Sequence, residues 1–104
     1  MIIFKRTINT GTTIFDTVDE FSNFRSSISS LNAYDIIWKS WRENGLIDPV
    51  VEWSGFGSSV LTMTAIFTTK QEIDDYLVAV SHLDEARDIT LATLGWTITR
   101  EIVD

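Results

Sequence analysis

The 104-residue sequence predicts an α+β fold, with four antiparallel strands in one sheet and helices packed on one of its faces. "VLTMTAIFTT", Val60 to Thr69, alternates with period two. Leu61, Met63, Ala65 and Phe67 fall on one side of a strand, and Val60, Thr62, Thr64 and Ile66 on the other. Thr69 followed by Glu72 reads as a capping box opening a helix, on which Ile73, Tyr76, Leu77 and Val80 share a face. The terminal "WTITREIV" alternates again, setting Trp96, Ile98 and Ile102 opposite Thr97, Thr99 and Glu101.

The remaining elements follow in order. "IIFKRTI", residues 2 to 8, is β-branched and aromatic and makes a first strand, ended by "NTGTT" with Gly11. Thr13 and Asp16 resemble a capping box, after which Ile14, Val18, Phe21, Phe24 and Ile28 recur at helical spacing, giving a helix to about Ser29. "SSISSLN" predicts a break, because serine side chains compete for backbone hydrogen bonds. Tyr34, Ile37, Trp38 and Trp41 then form the stripe of a short second helix closed at Gly45. Pro49 leads into a strand from Val50 to Ser54, and the turn "GFGSS" joins it to Val60 onward as a hairpin. "SHLDEARDITLATLG" either continues the Thr69 helix or restarts it at Ser81, and Gly95 ends it.

The order is β, α with an extra helix, β, β, α, β. This is the split βαβ pattern of a ferredoxin-like sandwich, βαββαβ, in which the first and third strands lie side by side in the centre. One domain spanning residues 1–104 is expected, since no linker, repeat or low-complexity segment divides the chain. Helices on one face leave the other uncovered. That face measures very roughly 300 Å² in projection, with Val60, Ile66, Ile3 and Val103 supplying its apolar part. Either water or a second subunit covers it.

Composition narrows the partners. The formal charge of −7 and isoelectric point near 4.5 make this an acidic chain and disfavour nucleic acid and anionic membranes, which recruit Lys and Arg. The absence of cysteine excludes disulfides and a thiolate nucleophile, and with a single histidine it argues against a transition-metal site. No cofactor motif is present: "SGFGSS" lies between strands and lacks the lysine of a phosphate loop. The N-terminal apolar run is too short for a signal peptide, so a cytoplasmic location is expected.

The order of elements, the length and the segment "AVSHLDEARDITLATLGW" running into a last strand resemble the dimeric α/β barrels of the antibiotic-biosynthesis-monooxygenase type. The resemblance implies a homodimer packed sheet to sheet, with a ligand or active site between sheet and helices. Cofactor-free oxygenation is among the activities it implies. Its haem-degrading branch uses an Asn on the first strand, a His on the second main helix and a Trp ending the third strand. Asn9 and His82 stand at similar places, but the third strand ends "IFTT". Haem degradation is therefore not expected.

Candidate site residues come from four places. His82, the only histidine, is the side chain suited to proton transfer near neutral pH; the alternative is a helix-surface residue beside Asp84, Glu85 and Asp88. Arg6 and Arg100 share the phase of the apolar positions on the first and last strands. On one face they would suit an anionic ligand, or each would reach a helix acid. Tyr34 and Trp38 project from the extra helix as candidates to cap a cavity, within an aromatic set that includes Trp41, Trp53 and Trp96 and serves equally as core. The leading expectation is a homodimer binding a small, partly apolar organic ligand, with a cofactor-free monooxygenase as its enzymatic form. The alternative is a non-enzymatic interaction module that uses its open sheet face.

Overall fold

The computed structural model describes all 104 residues. Strand β1 (Ile2–Asn9) is followed by helices α1 (Val18–Ser26) and α2 (Ser29–Glu43), then by strands β2 (Val50–Ser54) and β3 (Val60–Phe67). Helix α3 (Lys70–Val80) runs through a 3₁₀ turn at Ser81–Leu83 into α4 (Asp84–Leu94), and β4 (Thr97–Val103) closes the sheet. The sheet is four-stranded and open, in the order β2-β3-β1-β4, and every neighbouring pair is antiparallel. The first and third strands are the central pair, as the order of elements requires. This α+β arrangement is compatible with a ferredoxin-like fold. No helix is long and apolar enough to cross a membrane.

Register fixes which side chains share each face. On the inner face Phe4, Ile8, Leu61, Met63, Ala65 and Phe67 are all buried, so the apolar phase of "VLTMTAIFTT" lies under the helices. Two apolar clusters form there. One gathers Phe4, Met63, Ala65 and Phe67 beneath Tyr34 of α2 and Ile73, Tyr76 and Val80 of α3. The other gathers Ile8 and Leu61 with Phe15, Phe21 of α1, Leu31, Leu91 of α4 and Trp96. The row Trp53, Met63, Arg6, Arg100, one residue from each strand, lies where the clusters meet: Met63 belongs to the first and Trp53 packs on both.

The outer face is layered by the same register. Val50, Ile66, Ile3 and Val103 make an apolar row, Glu52, Thr64, Lys5 and Glu101 a charged one, and Ser54, Thr62, Thr7 and Thr99 a hydroxyl row. Thr62, Thr64 and Ile66 are half-buried, while Val60 is 43% exposed. The threonines thus sit in the middle of an uncovered face.

The N-terminal helix corrects the expected boundaries. It starts at Val18 rather than after Thr13: Thr17 caps it, its hydroxyl accepting from the Glu20 amide at 3.2 Å, while the Asp16 amide donates to Glu20 Oε2 at 3.0 Å. The reason is tertiary. The Thr10 hydroxyl donates to the Thr13 carbonyl at 2.6 Å and to the Ser59 carbonyl at 3.2 Å, tying the preceding loop to the β2–β3 turn. Phe15 is drawn inward against Phe21, Phe24 and Trp96, which leaves Ile14 and Val18 exposed. The expected break occurs at Ser27–Ile28, so α1 stops at Ser26 and not Ser29, and α2 begins inside the serine cluster because fully buried Leu31 anchors its first turn.

Candidate functional site

A cavity of about 210 Å³ opens within the first cluster, beside the Arg6–Arg100 pair. Its floor is the sheet, through Phe4, Arg6, Met63, Val51, Trp53 and Arg100; its cover is α2, through Tyr34, Asp35, Trp38 and Arg42, and α3, through Tyr76 and Leu77. Helical spacing explains the cover, since Tyr34, Trp38 and Arg42 recur every fourth residue on one face of α2. Trp38 meets the Tyr76 ring edge-on, with centroids 5.1 Å apart, and packs on Phe67 at 6.1 Å. The wall is thereby braced from helix to sheet.

Four of the five residues singled out in the sequence line this one cavity: Arg6, Arg100, Tyr34 and Trp38. His82 does not; it stands exposed on the 3₁₀ turn, outside the cavity. The Thr69 capping box places that turn indirectly, by fixing where α3 begins: the Thr69 hydroxyl accepts from the Glu72 amide at 3.4 Å.

The electrostatics are unlike those of the rest of the chain. The sequence holds only five arginines, and all five meet this site. Arg6, Arg42 and Arg100 line it. Arg25, buried behind it, forms a two-pronged ion pair with Asp35, its Nε donating to Oδ2 at 3.0 Å and its Nη2 to Oδ1 at 3.2 Å. Arg87 lies over the Tyr34 ring at 5.6 Å, on the same residue that Arg100 approaches at 5.8 Å. An acidic chain has gathered its guanidinium groups in one place.

Carboxylates are scarcer there. Asp35 is committed to Arg25. Asp84, at the start of α4, accepts the Tyr34 hydroxyl at 2.5 Å and lies 3.7 Å from Arg87 and 3.8 Å from Arg100. Arg100 therefore does reach toward a helix acid, one of the two arrangements the sequence left open. Arg6 has no such partner. It is paired in register with Arg100, like charge opposite like charge, and the Nε of each is buried without a hydrogen-bond partner in the protein.

Ionisation reflects this enclosure. Burial, reinforced by the Arg25 charge, lowers the Arg6 guanidinium from 12.5 to about 9, which leaves it a cation at neutral pH. Burial raises the Tyr76 phenol to about 12 against the opposing Arg6 charge, and raises Tyr34 to about 12 with help from its hydrogen bond to Asp84. Both tyrosines are therefore neutral donors near pH 7. Tyr76 donates across to the Tyr34 carbonyl at 3.5 Å. The site offers fixed cations, neutral hydroxyls and aromatic walls.

Sequence reasoning missed Asp35, Arg25, Arg42 and the role of Asp84. The i, i+4 stripe from Tyr34 through Trp38 would have included Arg42. Asp35 and Arg25 carry no local signal, because they meet only after α1 and α2 fold against each other. Asp84 reads in the sequence as one more surface acid beside His82. No protein-family model, curated protein or solved structure matches the chain, so the fold likeness rests on the order of its elements alone.

Proposed function

We propose that the chain binds a small, partly apolar organic ligand in the cavity between its sheet and α2 and α3. The observation that carries this reading is the gathering of an acidic chain's arginines at an aromatic-walled cavity: three of the five line it, and the other two contact its lining residues Asp35 and Tyr34. Enclosing Arg6 without an ion-pair partner, next to a void, costs stability, and packing alone gives no reason for it. Ligand sites commonly take this form, concave and mostly apolar with a few placed polar groups. A cofactor-free monooxygenase acting on such a ligand is the enzymatic form of the reading, and ferredoxin-like packing of the dimeric-barrel type is its architecture.

The partner in that architecture is a second copy of the chain, joined through the outer sheet face. Charge supports this choice. The chain as a whole carries −7, whereas the face presents Lys5 against Glu52 and Glu101, one net negative charge, beside the apolar row Val50, Ile66, Ile3 and Val103. A face so nearly neutral lowers the cost of bringing two acidic copies together. The face is small, about 300 Å² in projection, so the dimer is expected to depend on concentration. A non-enzymatic interaction module would use the same face and leave the cavity without a role.

Native mass spectrometry of the purified protein, alone and with a panel of small aromatic compounds, tests both parts. The expected result is a small-molecule adduct and a dimer fraction that rises with concentration. A monomer that carries adducts removes the dimer and keeps the ligand site. Absence of any adduct overturns the ligand reading and leaves the interaction module.

A further inference from the structure

Arg6 and Arg100 stand opposite each other on the two neighbouring strands β1 and β4, both on the inner face and both lining the cavity. Like charges in this position repel, and because both side chains are half-buried, water screens them only in part. Their nearest acids are already engaged: Asp35 by Arg25 in two hydrogen bonds, Asp84 by Tyr34 and Arg87 as well as Arg100. Two buried Nε–H groups remain without acceptors, one on each arginine. Arg6 thus has no ion-pair partner in the chain, and Arg100 shares its only one, Asp84, with Tyr34 and Arg87.

We infer that the ligand is a small organic monocarboxylate with an aromatic body, its carboxylate seated between Arg6 and Arg100 and its ring among Trp38, Trp53 and Tyr76. This inference rests on the ligand-binding reading above and specifies its chemistry. A carboxylate has two oxygens and about four acceptor sites in one plane, enough for both unpartnered Nε–H groups and an Nη–H beside each. A phosphate dianion would bring a second charge and further oxygens into a cavity where eight of twelve lining residues are hydrophobic. A neutral ligand would leave the repulsion between the arginines unrelieved. The aromatic body follows from the walls, since rings give large contact area with little conformational freedom to lose.

The test compares benzoate and phenylacetate with benzamide and phenylacetamide, and with inorganic phosphate, at low salt and neutral pH. Binding is followed by calorimetry and by the fluorescence of the tryptophans in the wall. The acids are expected to bind at least about tenfold more tightly than their amides, as charge-assisted hydrogen bonds imply. Arg6→Gln is expected to erase that preference while amide binding persists. Because the substitution removes one of two like charges that face each other, and the one with no ion-pair partner, the ligand-free variant is expected to melt no lower than the parent. A readout on the unaltered protein stands beside it: added potassium chloride weakens the acids and not the amides.

Equal affinity for acid and amide would overturn the carboxylate inference and leave the cavity reading standing. Binding of neither compound would remove both. Phosphate binding more tightly than benzoate would overturn the inference in favour of a phosphoryl ligand. An acid preference that survives Arg6→Gln would show that the anion sits elsewhere.

Discussion

At the scale of single residues, the two tyrosines report whether the site is closed. Tyr34 and Tyr76 are the only tyrosines in the chain, and both are raised from the ordinary value of 10 to about 12. An unfolded chain ionises them from about pH 10, so the fold, which favours the neutral phenols, has its full contribution below that pH and loses it between 10 and about 12. Arg6 acts with the opposite sign. Its folded value near 9 lies below its unfolded 12.5, so the unfolded state holds the extra proton and stability rises with pH above about 9. From about pH 10 two tyrosines outweigh one arginine. In an alkaline titration, tyrosinate absorbance is expected to appear together with the loss of circular dichroism. Tyrosinate formed near pH 10 in a folded chain would show that neither phenol is enclosed. Of these residues, Arg6 and Arg100 were legible because strand phase alone put them on the apolar side. Their unmet pairing was not, since it depends on where Asp35 and Asp84 end up.

At the scale of elements, local chemistry succeeds where nothing distant competes. The Thr69 cap, the alternation of β3 and the left-handed Gly45 and Gly95, at φ of 71° and 74°, were all readable because each depends on neighbours within a few residues. Helix α1 was misplaced by four residues at its start because Phe15 is claimed by Trp96, some eighty positions away in the chain, and Thr10 by the β2–β3 turn. That turn is the most constrained piece of backbone in the molecule. Gly55 has φ of 91°, and a Cβ there would lie 2.1 Å from the Val60 carbonyl oxygen. Gly55→Ala is accordingly expected to cost about 3 kcal/mol, from positive φ and from a clash with backbone that cannot swing aside. Thermal denaturation should show a melting temperature lower by roughly 10 to 20 °C. A shift of only a degree or two would mean that the hairpin closes in another way.

At the scale of the whole molecule, the α+β class and the central pairing of the first and third strands were written in the succession of elements, whereas the division of the core was not. Periodicity marks Met63 and Trp53 as inward residues but says nothing of the gap between α2, α3 and the sheet where they meet Arg6 and Arg100. The row of four residues that crosses the sheet where the two apolar clusters meet has a dynamic meaning. The side toward Phe67 is roofed by α3 and the later part of α2, the side toward Leu61 by α1, α4 and Trp96, and the two are joined by β1, β3, the first turn of α2 at Leu31, and Trp53. A seam that carries two arginines across the inner face lets a small protein open as two cooperative units at different rates. Amide hydrogen exchange in the free protein is expected to separate α3 from α1 and α4, and equal protection of all three would count against the division. An aromatic acid filling the seam would tie the halves together, so that occupancy of the cavity is felt as slowed opening at Trp96, on the side that the ligand does not touch.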